Sequence, residues 1–195
     1  ILRETFEKQK RSIIWGNTGF NKNVAAMMAL ATRDEALRKE LVAWLFCNAE
    51  GEPIPSPRSD WRKTRLGGGL GRRTAELTGD GFSWEGGFGY SAIMPLFLTE
   101  AYSSLRRFAG NATDENIRLT MALMRQRLPR FYKTSFQLVC VDKFMPTWGD
   151  GGRFGTPMIP KGAQTANLLA AFASFGDPDI ARMYWRMNRG DGVAA

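Results

Sequence analysis

Tyr90 stands at the end of a glycine-rich segment, GFSWEGGFGY at residues 81–90, directly before an apolar stretch. The sequence contains no histidine, so it cannot supply a Ser-His-Asp triad, a Cys-His pair or most kinds of zinc site. Proton transfer by this chain therefore depends on tyrosine, lysine, arginine or carboxylate side chains. A tyrosine has a pKa of about 10 and can donate a proton at neutral pH, which makes Tyr90 a candidate acid.

Two further segments combine polar or aromatic side chains with glycine. WGNTGFNKN, residues 15–23, holds three asparagines before an apolar stretch, and PTWGDGGRFG, residues 146–155, holds Trp148, Asp150 and Arg153. Such loops often bind ligands, because glycine allows close approach to the backbone. The alternative is structural: asparagine and glycine serve as turn or cap residues, and the aromatic rings pin the loops to the core. Three such segments in one chain favour binding.

These segments are expected to connect α-helices, because apolar side chains recur at helical spacing along much of the chain. The predicted helices cover residues 2–14, 23–31, 35–47, 91–110, 115–128 and 163–176, with a last one that starts at Pro178. Residues 131–141, FYKTSFQLVCV, are compatible with either helix or strand. The sequence therefore predicts an all-α fold, in which short links join antiparallel helical hairpins.

Individual residues predict where several helices begin and end. Asp34, Asp114 and Asp177 are expected to cap the helices that follow them. Ser91 is the predicted cap of the helix after Tyr90 and places Pro95 close enough to its start to be tolerated. Pro129 is predicted to follow the end of the preceding helix, and Gly176 to stop another.

Residues 49–81 break the helical pattern with three prolines, a basic stretch and the glycine cluster GGGLG at 67–71. This composition predicts a long surface loop. The glycine cluster also suggests a phosphate-binding loop, but it lacks the Gly-Lys-Ser/Thr ending of a nucleotide site. A flexible loop is the favoured interpretation.

The chain carries a net charge of +8, which favours an anionic partner such as nucleic acid, acidic lipid or acidic polysaccharide. The alternative is an ordinary solvated basic surface. The basic residues are spread along the chain, which argues against a nucleic-acid-binding tail. No apolar run approaches the roughly 18 to 20 residues of a membrane span. Because the first residue is not methionine and the chain ends in a loop-like NRGDGVAA, we expect it to be part of a longer protein.

Three segments together resemble a known enzyme family. DGFSWEGGFGY, residues 80–90, is similar to the tyrosine motif of the heparinase II/III-like polysaccharide lyases, a group that includes oligo-alginate lyases. MPTWGDGGRFG, residues 145–155, resembles that family's Pro-x-x-Gly-Asp-Ser loop. GNTGFNKNVAAMMALA, residues 16–31, resembles its Asn-His-Gly segment. The segments occur in the family's order and span most of the chain.

The resemblance implies a fold, an activity and a location. Residues 1–195 would form a single α-helical domain belonging to an (α/α) toroid, and the β-sandwich that follows the toroid in the family is not in this chain. The activity implied is cleavage of uronate-containing acidic polysaccharides by β-elimination, with no metal or other cofactor. The partner would be an alginate-like or glycosaminoglycan-like chain, without nucleic acid or membrane binding. The location implied is the periplasm or the extracellular space.

The resemblance also assigns roles to individual residues. Asn17 matches the asparagine that neutralises the uronate carboxylate, and Tyr90 matches the tyrosine that acts as acid and, in some members, also as base. Thr18 stands where the family has a catalytic histidine, and Phe88 replaces the usual proline. If the chain is active, Tyr90 is therefore expected to perform both proton transfers.

Other residues near these motifs are candidates for binding substrate. Asn21, Lys22 and Arg153 could help to neutralise the carboxylate, because its neutralisation stabilises the enolate-like intermediate. Trp84 and Trp148 either stack on sugar rings or pack in the core. Glu85 either contacts the ligand or anchors its loop by accepting backbone N–H bonds, and the anchor is favoured. Asp150 belongs to the same predicted binding loop as Arg153.

Two other functions remain open. The threonine at position 18 is compatible with a relative that binds acidic glycans without cutting them. The basic charge alone is compatible with a helical module that binds proteins or nucleic acid.

Overall fold

The computed structural model describes residues 1–10, 20–46, 69–83, 88–109, 112–138 and 163–189, with the backbone alone at 88–92, 135, 163–166 and 187–189. These residues form eight α-helices and no strand, which confirms the all-α prediction. The helices are α1 Leu2–Lys10, α2 Phe20–Ala31, α3 Glu35–Phe46, α4 Leu70–Ala75, α5 Phe88–Ala109, α6 Glu115–Gln137, α7 Ala163–Phe175 and α8 Pro178–Arg189. None of the described helices combines the length and apolarity of a membrane span.

The chain divides into two compact units. Unit 1 contains residues 1–76 and 97–124, and unit 2 contains residues 77–96 and 125–195. Two of the three boundaries between the units fall within α5 and α6, and the third lies just after α4. The single helical domain expected from the sequence stays a prediction.

Unit 1 is built on the hairpin of α2 and α3, which pack against each other. The small buried residues of α2, Ala25, Ala26 and Ala29, allow close approach of the leucines of α3. Asp34 caps α3 as predicted, since its Oδ1 accepts the backbone N–H of Leu37 at 3.0 Å. The three-residue link therefore ends one helix and begins the next, and the two helices run antiparallel.

Helix α5 runs parallel to α2 along its unit 1 part. The rings of Phe20 and Phe97 lie 5.2 Å apart in an edge-to-face arrangement. Asn23 Nδ2 donates to Glu100 Oε2 at 2.5 Å, and Ser104 Oγ donates to Met27 Sδ at 3.5 Å. Each of these pairs is separated by 77 residues in sequence, so the residue numbers rise together on both helices, as they do only for parallel neighbours.

Unit 2 has its own apolar core, to which α6, α7 and α8 contribute. Its buried members are Phe131, Tyr132, Leu168, Ala171, Ile180 and Met183. Gly176 ends α7 with a φ of 65°, which glycine adopts without strain. Asp177 then caps α8, accepting the N–H of Asp179 at 2.9 Å. Both helix-end predictions for this hairpin are confirmed.

The prediction of one surface loop over residues 49–81 is wrong for its last part. Residues 70–75 form α4, with Leu70 and Thr74 fully buried. Thr74 Oγ1 donates to the carbonyl oxygen of Leu70 at 2.8 Å. The predicted flexible loop therefore ends in a packed helix, because burial of Leu70 outweighs the low helix propensity of the glycines beside it.

Helix α5 begins three residues before the predicted start. Its first residue is Phe88, so Ser91 is the fourth helical residue and not the cap. Pro95 lies inside the helix and not in the first turn. A proline there cannot donate to the carbonyl four residues earlier. The earlier start brings Tyr90 into the helix.

Helix α6 continues through Pro129, where the sequence predicted its end, and includes most of the segment predicted as helix or strand. Leu128, Phe131 and Tyr132 are all buried on either side of the proline. An interior proline costs about 3 kcal/mol, a cost that burial of three large side chains at about 1.5 to 3 kcal/mol each can offset.

Candidate functional site

The first turn of α2, residues 20–23, which we call the α2 start, concentrates buried polar atoms without partners. Asn21 Oδ1, Lys22 Nζ and Asn23 Oδ1 are all buried and have no hydrogen-bond partner among the residues the structure describes. A fourth such atom, Gln9 Oε1, lies on α1, which packs against α2. Buried polar groups are nearly always paired in proteins. Three orphaned atoms on consecutive residues therefore point to a ligand or ordered water at this turn.

Lys22 is the most unusual of these residues, since only 4% of it is exposed. Its Nζ lies 3.1 Å from the centroid of the Trp44 ring on α3. The Trp44 ring is in turn held edge-on by Phe6 of α1, with the centroids 5.6 Å apart. The amine thus contacts an aromatic face, which attracts a cation, but it has no carboxylate or carbonyl partner in the described structure.

The charge of Arg73 acts on Lys22. Arg73 of α4 is also 4% exposed, and its Nη1 donates to Glu76 Oε2 at 2.9 Å. Glu76 is shared with Arg72, whose Nε lies 3.3 Å from Oε1. Burial, and then the charge of Arg73, hold the pKa of Lys22 well below its usual value.

The low pKa changes what Lys22 can do. Its neutral form, which the unliganded site favours, cannot neutralise a carboxylate by itself. An anion that entered the site would offset the charge of Arg73 and favour the ammonium form. The predicted role of Lys22 as a cationic ligand to a carboxylate is thus coupled to the protonation of its amine.

Asn23 points toward α5 and is partly satisfied there by its bond to Glu100. Asn21 precedes Lys22 by one position, so the two side chains leave the helix about 100° apart. The α2 start therefore presents an amine toward α3 and α4, and amide groups on either side of it.

Tyr90 is the third residue of α5, and the described structure shows its backbone position only. The turn that precedes it, residues 77–82, which we call the motif turn, is closely bonded. Thr78 N donates to Phe82 O at 2.8 Å, Gly81 N donates to Thr78 O at 2.9 Å, and Phe82 N donates to Thr78 Oγ1 at 3.1 Å. This turn contains Asp80 and Gly81, the first two residues of the tyrosine motif.

Helix α6 holds the motif turn. Arg127 Nη1 donates to Leu77 O at 2.8 Å, and Arg130 Nη1 donates to Gly79 O at 3.3 Å. Gly81 has a φ of 89°, and a Cβ added there would lie 2.3 Å from the backbone nitrogen of Phe131. No side chain fits in that gap, so the first glycine of the motif is required by close packing against α6.

The sequence did not single out Arg127, Arg130 or Thr78 as supports of this turn. The signal was the run Thr78-Gly-Asp-Gly81, whose composition is typical of a tight turn. What the sequence could not indicate is which helix the turn packs against.

Seven of the ten predicted site residues lie outside the residues that the structure describes. They are Asn17, Thr18, Trp84, Glu85, Trp148, Asp150 and Arg153. Of the other three, Asn21 and Lys22 lie together at the α2 start in unit 1, and Tyr90 lies in the first turn of α5 in unit 2. Within the described part of the chain, no group of three or more cysteine, aspartate or glutamate side chains is arranged to hold a metal ion.

Comparison of the chain with protein-family models, with curated proteins and with solved structures yields no match in any of the three.

Proposed function

We propose that this chain is the helical part of a polysaccharide lyase that cleaves uronate-containing acidic glycans by β-elimination. The observation that carries the proposal is the motif DGFSWEGGFGY, which ends on Tyr90. Its first glycine is required by the packing against α6, and its tyrosine stands in the first turn of a 22-residue helix. Both features suit a motif that fixes one side chain for chemistry.

The helix arrangement supports the toroid that the resemblance implies. In an (α/α) toroid, antiparallel hairpins stand side by side, so equivalent helices of neighbouring hairpins run parallel. Helices α2 and α3 form such a hairpin, and α2 and the unit 1 part of α5 run parallel as neighbours. Helices α7 and α8 form a second hairpin, in unit 2.

The proposed reaction needs three roles. A base removes the proton on C5 of the uronate, the electrons form a double bond between C4 and C5, and the bond from C4 to the glycosidic oxygen breaks. An acid then protonates the departing oxygen. We assign both proton transfers to Tyr90, and neutralisation of the carboxylate to Asn17 with help from the α2 start. A tyrosine acts as a base when a nearby cation stabilises its phenolate.

The charge of the chain is consistent with this substrate. A net charge of +8 attracts polyanions over long range and raises their rate of association. Trp84, Trp148, Glu85, Asp150 and Arg153 are proposed to contact the sugar chain. Since the family acts on extracellular polymers, we propose a periplasmic or secreted location.

The direct test is to incubate the protein with alginate, heparan sulfate and hyaluronan and to follow the ultraviolet absorbance of the unsaturated uronate product. The proposal expects a steady rise with at least one of the three. A flat trace with every acidic glycan tested, from protein shown to be folded by circular dichroism, would count against lyase activity.

A second candidate is an acidic-glycan-binding protein that does not cut its ligand. It is favoured by Thr18, which stands at the family's histidine position, and by the absence of histidine from the whole sequence. Retention on an alginate or heparin column that is released by salt, without any unsaturated product, is the outcome that this candidate expects.

A further inference from the structure

The α2 start carries an inference about which part of the substrate binds there, and it rests on the proposed function. Three observations stand together: a lysine that is 4% exposed, the lack of a hydrogen-bond partner for its amine among the described residues, and unpartnered amide oxygens on both neighbouring residues. Each of the three is a cost to the folded state unless a ligand relieves it.

The charges that face Lys22 define what kind of ligand would relieve that cost. From α4 and the residue after it come Arg72 and Arg73, both of which pair with Glu76. The face of α3 that meets the amine contributes an uncharged indole, Trp44. From α5, Glu100 bonds to Asn23. On α1, Lys10 lies over the ring of Phe6, which contacts Trp44, and pairs with Glu7. Among these groups, the charge that acts on the amine is that of Arg73, which an anionic group would offset.

The amide oxygens restrict the chemical class of the ligand further. Asn21 Oδ1 and Asn23 Oδ1 are hydrogen-bond acceptors for which the described part of the chain supplies no donor. Sulfate, chloride or a simple carboxylate offers no donor to them. A sugar acid offers both kinds of group, since its carboxylate accepts from an ammonium and its hydroxyls donate to amides.

We propose that Lys22 binds the carboxylate of one uronate unit, and that one proton is taken up from solvent at its buried amine as the carboxylate arrives. The uncharged amine, one proton and the carboxylate become an ammonium–carboxylate pair, so the charges balance. The pair forms beside Arg73, whose charge acts on Lys22 and is offset by the carboxylate.

We place the entry of the ligand at Trp44. Its ring contacts the amine and is itself only half-buried. In this proposal the side chain moves aside when the ligand enters, and the indole then stacks against the sugar ring.

The experiment uses free glucuronate, which has no glycosidic bond and so cannot be cleaved. Isothermal titration calorimetry is run at several pH values between about 6 and 9, in buffers with different ionisation enthalpies, so that the difference in heat gives the protons taken up. We expect uptake of about one proton per glucuronate at the upper end of this range. Binding without proton uptake at every pH would overturn the proposal, and so would no binding at all.

Variants and ligands supply matched controls. Lys22→Met should abolish proton uptake and weaken glucuronate binding at least tenfold. Lys39→Met removes an equal charge from an exposed position on α3 and should leave both unchanged. Glucose lacks the carboxylate and acetate lacks the hydroxyls, so each should bind at least tenfold more weakly than glucuronate. Equal binding by acetate would contradict the role of the amides.

A measurement on the unaltered protein removes any dependence on variant folding. The ¹⁵Nζ signal of Lys22 in an NMR spectrum should move from the neutral-amine to the ammonium position as glucuronate is added. A signal that starts at the ammonium position, or that stays neutral at saturation, would overturn the proposal. Proton uptake without cleavage of any glycan would leave this subsite standing and count against the lyase alone. Cleavage without proton uptake would count against this subsite and leave the lyase proposal standing.

Discussion

The motif turn and the α2 start are both near predicted catalytic residues in the sequence, but their polar groups are in opposite situations. In the motif turn, Thr78 and Gly81 are bonded within the turn, and two arginines of α6 bond to its carbonyl oxygens. In the α2 start, three buried polar atoms on consecutive residues have no partner in the described structure. The first is built for rigidity, whereas the second is costly to folding and suited to a ligand.

This difference predicts that substitutions in the two regions change the free energy of unfolding in opposite directions. A change in the motif turn should lower the free energy of unfolding, because a satisfied arrangement is lost. An apolar replacement at the α2 start should raise it, because a cost is removed, while ligand binding is lost. Such a trade between stability and function is common at binding sites.

The largest stability effect is expected at Gly81. Gly81→Ala places a Cβ 2.3 Å from the nitrogen of Phe131 at a φ of 89°, so we expect a loss of about 3 to 5 kcal/mol in the free energy of unfolding. Urea unfolding followed by circular dichroism measures it. Gly79→Ala is the control, since nothing lies within 4 Å of its added Cβ. Equal effects of the two changes would refute the close packing described here.

The next largest expected effect is a gain in stability. Lys22→Met keeps the shape of the side chain and removes the orphaned amine, so we expect unfolding at neutral pH to require about 1 to 3 kcal/mol more. Chemical denaturation of wild type, Lys22→Met and Lys39→Met provides the comparison. Destabilisation by Lys22→Met would mean that the amine is satisfied, and the contrast between the two regions would fail.

The stability difference between wild type and Lys22→Met is expected to depend on pH. The pKa of Lys22 is lower in the folded than in the unfolded state, chiefly because of burial, so the unfolded state binds more protons between the two values. Wild-type stability should therefore rise with pH relative to Lys22→Met, by up to about 1.4 kcal/mol per pH unit, until the ordinary lysine pKa is reached. A constant difference between about pH 6 and 10 would contradict the burial of an uncharged amine.

The smallest effect concerns a helix start whose groups are satisfied. Asp177 caps α8 and pairs with Lys133, with Oδ2 and Nζ 3.0 Å apart. Asp177→Ala should cost about 1 kcal/mol, and Asp177→Asn less, because asparagine also caps. Burial raises the pKa of Asp177, but the Lys133 bond and backbone N–H groups outweigh it and lower the pKa overall. The contribution of Asp177 should therefore be lost as pH falls through its folded-state pKa, and a Tm series from about pH 7 to 3 tests this.

The sequence predicted the elements whose signals are local. Asp34 and Asp177 lie at helix starts, and Gly176 lies at a helix end, because capping and positive φ depend on neighbouring residues. The errors arose where distant packing overrides local preference. Pro129 does not end α6, since the large side chains around it are buried. Residues 70–75 form a helix in a glycine-rich segment because Leu70 is buried.

At the candidate site, too, local features could be predicted from the sequence and tertiary packing could not. Composition was enough to select Asn21 and Lys22 as polar residues beside an apolar helix. Nothing local could indicate that Lys22 is buried against Trp44 and next to Arg73, which lie 22 and 51 positions further along the chain. Its depressed pKa is a product of tertiary packing and therefore invisible in the sequence.

The measurement that tests the proposed function most directly is the rate of unsaturated product formation by wild type and Tyr90→Phe on an acidic glycan that the wild type cleaves. We expect the variant to lose about 100-fold or more of the rate, because general acid–base catalysis contributes that much, with an unchanged unfolding midpoint. Tyr184→Phe, on α8, should keep its rate. Unchanged turnover by Tyr90→Phe would contradict the assignment of proton transfer to this hydroxyl.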